Sequence, residues 1–138
     1  MLRWAAVLYG AAWLIHTGDH LRRGTDVVTS QVHALGTAAA LLQLVAIGLV
    51  LARHRIAPVL AVAVGIPDAF GIAAVHLLPR WSVFSDAFPG AHGTGVTAFS
   101  WVAAIVEVLT ALAFGLVGAW VLGRLRSHHL LPVTGSLG

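Results

Sequence analysis

The chemistry this chain can perform rests mostly on imidazole. Eight histidines occur in 138 residues, beside five acidic residues and no cysteine. Imidazole binds transition metals as a neutral nitrogen donor and carries protons near neutral pH. His16 and His20 are four positions apart, so on a helix they share one face, about 40° and 6 Å from each other. That spacing lets both rings reach a single ion. His33 and His76 lie further along, and Asp19, between the first pair, is a further oxygen donor or an orienting partner for an imidazole N–H.

Two carboxylates form the second unusual set. Asp68 and Glu107 interrupt long apolar runs, with Gln43 and Tyr9 placed similarly in two other runs. An acid at the centre of a bilayer costs about 2.5–3.5 kcal/mol on insertion scales, so it turns toward other protein and is functional by default. Asp68 and Glu107 are therefore the candidate catalytic residues, in the role of a proton relay. The structural alternative is an interhelical hydrogen bond between them, or from either to Gln43.

Composition says what kind of element must hold these groups. The chain is 59% hydrophobic and 9% charged, whereas a soluble domain has about 25% charged residues. So little charge cannot cover a globule in water, and lipid must solvate much of the exterior. All eight basic residues are arginines, and they stand at the ends of apolar runs. There is no basic stripe with interleaved aromatics, which argues against nucleic-acid binding. The lack of cysteine excludes thiolate ligation, disulfides and thiol redox chemistry. Abundant Ala, Gly and Arg without lysine point to a GC-rich bacterial genome.

A hydrocarbon core about 30 Å thick needs roughly 20 helical residues. Four segments qualify, at about 2–21, 30–52, 56–78 and 96–122. The expected fold is an all-α membrane protein: a four-helix transmembrane bundle over residues 1–126, running up-down-up-down with both termini on one side. Residues 127–138 read as a flexible tail. The first segment has the look of a signal peptide but no small-x-small cleavage site, so it reads as a retained helix. A tight turn at Arg53–Arg55 makes the second and third helices antiparallel neighbours. The long 79–95 loop carries Trp81, Phe84, Phe88 and Pro89, and is expected on the membrane surface or folded over the bundle end. Arg3, Arg53, Arg55, Arg124 and Arg126 share the termini's side without an acid. Arg22, Arg23 and Arg80 lie opposite, with Asp19, Asp26 and Asp86. The positive-inside rule then places both termini in the cytoplasm, in a bacterial cytoplasmic membrane.

With those elements in place, His16, His20, His33 and His76 gather at the non-cytoplasmic end, with His92 in the loop nearby. His54, His128 and His129 fall on the other side among arginines. The expected metal site is His16, His20, His33 and His76, with Asp19 as ligand or orienter and Asp86 as another candidate. Such a nitrogen-rich, thiol-free set suits copper, zinc, iron or nickel and not magnesium or calcium. The outward-facing position favours copper over zinc or iron.

The pattern His16-x3-His20-x12-His33 resembles the copper site in a membrane subunit of the particulate methane and ammonia monooxygenases, which reads Asp-x3-His-x12-His across two adjacent helices. The resemblance spans 18 residues, and His16 stands where that family has aspartate. It implies copper and carries no implication of alkane or ammonia oxidation. Three other readings compete with a metal site. One is a haem b protein with axial ligands His16 and either His76 or His33. Another is a proton-coupled transporter centred on Asp68 and Glu107. The last is an accessory subunit of a larger membrane complex. The lipid bilayer is the expected partner, with a homo-oligomer or larger membrane complex as the candidate assembly. Whether the chain catalyses a reaction or handles metal stays open at this point.

Overall fold

The computed structural model describes residues 1–129. Its elements are α1 (Leu2–Arg23), a short 3-10 turn (Thr25–Val27), α2 (Ser30–Leu51), α3 (Ala57–Ile72) passing into a π-helical turn (Ala73–Leu77), and α4 (Ala98–His129). No strand occurs among the described residues. Three helical stretches are long and apolar enough to cross a membrane: Ser30–Leu51, Ala57–Leu77 and Ala98–Ser127. The last begins later than expected and runs further, so residues 127–129 of the expected tail are helical. The rest of that tail lies outside the described residues.

α1 matches α2 in length but is less apolar, and its polar residues explain why. Ala6, Tyr9, Ala12, His16, Asp19 and Arg23 are buried, and they recur every three or four residues along one helical face. The opposite face is apolar and exposed, with Trp4, Leu8, Leu14 and Leu21 outward. The helix therefore carries its polar groups inward and its hydrocarbon outward, the reverse of a soluble amphipathic helix.

Local chemistry sets the helix ends. Gly24, at φ 91°, closes α1 with its N–H on the His20 carbonyl. A Cβ there would stand 2.6 Å from the Asp26 carboxylate. Thr29 caps α2 by accepting the Val32 N–H at 3.2 Å, a standard N-cap contact. Pro58 sits in the first turn of α3, where a missing N–H costs nothing. Pro67 sits inside α3, where a missing N–H does remove a helical bond. After the π turn, Leu78 is extended, as the residue before Pro79 must be.

α4 packs on α1 and α3, and α2 packs on the same two helices. The α3–α4 contact is the closest. A Cβ on Gly65 would meet the Ala111 carbonyl at 2.6 Å and the Gly115 nitrogen at 2.8 Å, and one on Gly118 would meet Pro58 O at 2.9 Å. The apolar core joins Ala6 and Tyr9 to Ala46, Val50, Ala57, Ala61, Ala111 and Phe114. It takes nothing from the first half of α2. There the space between α1, α2 and α3 is a cavity of about 470 Å³.

Candidate metal centre

Three imidazoles converge at one end of that cavity. His16 and His20 project from successive turns of α1, and His76 projects from the π turn that ends α3. Their ring centroids are 4.8 Å apart for His16–His20 and His16–His76, and 5.3 Å for His20–His76. One ligand atom from each lies within 4.8 Å of the other two. Two opposed metal–nitrogen bonds of about 2.1 Å span about 4.2 Å, so small side-chain rotations close the set on one ion.

The partners of the rings decide which nitrogens are free. His16 Nδ1 pairs with Glu107 Oε2 on α4. His76 Nδ1 lies 3.1 Å from the Asp86 carbonyl oxygen and 3.4 Å from its carboxylate. A carbonyl can only accept, so His76 Nδ1 is the position that donates there, and in the neutral ring Nε2 keeps its lone pair. His16 Nε2 is buried and has no hydrogen-bond partner. His20 Nδ1 faces the same Asp86 carboxylate at 4.0 Å, and its side chain is the most exposed of the three. An imidazole whose second nitrogen is held by a carboxylate or carbonyl is oriented in the way metal-binding histidines are.

Asp86 is the hub of this end of the molecule. Arg23 donates to both of its oxygens at 2.7 Å, and donates again to Thr94 O at 3.1 Å. Burial alone would raise the Asp86 pKa. Hydrogen bonds from His76 and Arg23 outweigh it and hold the carboxyl well below its usual range. Phe88 covers the cluster, with its ring 4.8 Å from His76, 5.3 Å from the Arg23 guanidinium and 5.6 Å from Trp101. The loop expected over the bundle end is therefore pinned there by Asp86 and Phe88.

The remaining candidates go elsewhere. Asp19 is fully buried, but its Oδ1 takes two bonds from Arg22, at 3.1 and 2.8 Å, and it stands outside the three-imidazole group. Arg22 reaches on to Ser100 and to the Gly95 carbonyl. His33 occupies the first turn of α2, where it is exposed and lines the cavity without joining the cluster. His92 is exposed in the loop. Asp68 and Glu107 do not bond to each other. Tyr9 donates to Asp68 Oδ2 at 2.6 Å, while Glu107 belongs to His16. Tyr9 also stacks on Phe114 at 5.2 Å. Gln43, Asp68 and Glu107 all line the cavity.

Sequence reasoning underrated Arg23 and did not foresee the π turn. Arg23 reads as an interfacial arginine, yet its side chain is fully buried on Asp86. The signal available was its place seven residues beyond His16, on the same helical face. Comparison with known family models, curated proteins and solved structures found no match.

Proposed function

We propose that this chain is an integral membrane protein that binds one transition-metal ion through His16, His20 and His76. The observation that carries the reading is the shared orientation of His16 and His76. In each, Nδ1 is held by an oxygen, His16 Nε2 is buried without a partner, and one ligand atom of each ring lies within 4.8 Å of those of the other two. Three neutral nitrogens without a thiolate suit copper, zinc or iron, and copper lies highest in the affinity order for such ligands. Three protein ligands also leave a coordination position free, the arrangement of a reactive site rather than a closed structural one. Such an ion would supply Lewis-acid or redox chemistry at the cluster.

The rest of the reading concerns the membrane. α1 presents apolar side chains outward over its whole length, which supports counting it as a fourth span beside the three apolar ones. The fold would then be a four-helix bundle running up-down-up-down. Arginine bias puts both termini in the cytoplasm and the histidine cluster at the opposite end. Glu107 would hold the His16 proton at Nδ1 and pass protons between the cluster and the Tyr9–Asp68 pair. Haem b is disfavoured between these rings. Two axial imidazoles at about 2.0 Å from iron need centroids roughly 6 Å apart, and these rings stand at 4.8–5.3 Å. His33 and Asp19 are not needed for the set.

The test is elemental analysis of the purified full chain after exposure to copper, zinc and iron salts. One equivalent of metal is expected, lost in His16→Ala and His76→Ala and retained in His33→Ala. A wild-type protein that holds no stoichiometric metal overturns the reading.

A further inference from the structure

We propose that the cavity between α1, α2 and α3 binds a bilayer-dissolved molecule with an apolar body and a hydroxyl head, the hydroxyl donating to Asp68. The space, about 470 Å³, falls in the size range of small-molecule sites, which combine apolar walls with a few convergent polar groups. Its long wall is α2 from Val32 to Gln43, faced by Trp13, Val64 and Ile72.

Two polar groups face the cavity, Asp68 from α3 and Gln43 from α2. Asp68 is half-buried, accepts the Tyr9 hydroxyl at Oδ2 and stands beside Gln43 in the cavity lining, with its carboxyl open to a further donor from the cavity. Gln43 is 3% exposed, and its Oε1 has no hydrogen-bond partner among the described residues. An unpaired acceptor in apolar surroundings is costly, and a donor brought by a ligand satisfies it.

The route of entry follows from what surrounds the cavity. The packed core closes it from Ala46 onward. Its rim includes Leu21, Leu35 and Leu42, which are 72%, 50% and 59% exposed. Leucines so exposed face acyl chains in a membrane-spanning chain, so the occupant arrives from lipid. The missing donor narrows its head group: an ionised fatty-acid carboxylate brings only acceptors, whereas a neutral hydroxyl offers a proton. Quinols, phenols and prenyl alcohols share this chemistry. The proposal goes beyond metal binding and needs no metal in place.

Native mass spectrometry of the full chain from nanodiscs tests it. The probes are a decyl-tailed benzoquinol, its dimethyl ether and geranylgeraniol, each with wild type, Gly36→Leu, Asp68→Ala and His92→Ala. Gly36 lines the cavity, and nothing lies within 4 Å of a Cβ built there, so a side chain can start from this position without a clash at its Cβ. One bound equivalent of the quinol or the alcohol is expected. Affinity should fall at least tenfold in Gly36→Leu and Asp68→Ala and for the ether, and stay unchanged in His92→Ala, which lies outside both the cavity and the cluster. Binding of only the quinol or only the alcohol identifies the source of the hydroxyl. An ether that binds as well as the quinol means an acyl chain fills the cavity and overturns the proposal. So does the absence of binding, or unaltered binding in both cavity variants. Metal content of the same samples reports separately on the metal reading.

Discussion

Among the described residues, His16 is the histidine that Glu107 hydrogen-bonds, so its effect on a bound ion runs through His16. Replacing its carboxylate by an amide keeps the shape, weakens the acceptor on Nδ1–H and lowers the basicity of Nε2. Loss of such an orienting partner typically costs about 10–100-fold in metal affinity. Glu107→Gln should therefore bind the same stoichiometry of copper at an affinity lower by that factor, read by competition with a chelator. Unchanged affinity would sever Glu107 from the metal role. Asp86→Asn acts differently, because the Arg23 side chain is fully buried on the carboxylate it loses. Breaking one side of a buried ion pair costs about 3–5 kcal/mol. Thermal unfolding in detergent should show that loss for Asp86→Asn, and the double variant with Arg23→Met should lose less than the sum of the two. Much of this was legible in the residues. Spacing alone pairs His16 with His20, and insertion cost alone marks Asp68 and Glu107. The partners were not legible, because depth arithmetic sets Asp68 opposite Glu107 but contains no rotation about the helix axis. Rotation gives Asp68 to Tyr9 and Glu107 to His16.

Among the helices, the same limit shows in the glycines. Gly36, Gly48, Gly65, Gly71, Gly115 and Gly118 look alike in sequence, as small residues that let helices approach. The packing separates them. Gly65, Gly115 and Gly118 each meet atoms of the facing helix at under 3 Å from an added Cβ, while Gly36, Gly48 and Gly71 meet nothing within 4 Å. Gly65→Ala must push α3 from α4 against backbone atoms that cannot rotate aside. Overpacking of this kind costs about 1–3 kcal/mol, whereas Gly71→Ala should stay within about 0.5 kcal/mol of wild type. Unfolding midpoints of the two variants compare them directly, and equal midpoints would contradict the close α3–α4 crossing. The π turn at Ala73–Leu77 is the other feature hidden from periodicity. Segment length ran the third helix straight to residue 78. The wide turn instead changes the rotation of its last residues and carries His76, as π turns at functional sites often do.

Taken whole, the molecule puts its polar chemistry inside and its hydrocarbon outside, and that inversion makes the topology testable. Trp4 near the start of α1, Trp120 in the last turns of α4 and Trp81 in the loop after His76 are all exposed, and if four helices cross they would fall in the aromatic belts at two membrane interfaces. Trp120 also lies under the Arg124 guanidinium at 4.0 Å. Because the chain has no cysteine, a single introduced thiol reports its own side of the membrane without background. His54, His92 and Ser127 are suitable positions, since all three are exposed and none belongs to the cluster. If four helices cross, His54→Cys and Ser127→Cys lie on the termini's side and His92→Cys lies opposite. In intact cells a membrane-impermeant maleimide should then label His92→Cys alone, and the other two should react only after lysis. Labelling of His54→Cys and Ser127→Cys alone would keep four spans but invert the orientation, turning the metal cluster toward the cytoplasm. Labelling that divides His54→Cys from Ser127→Cys would require an odd number of crossings after residue 54, and would remove the bundle on which the four-span reading depends.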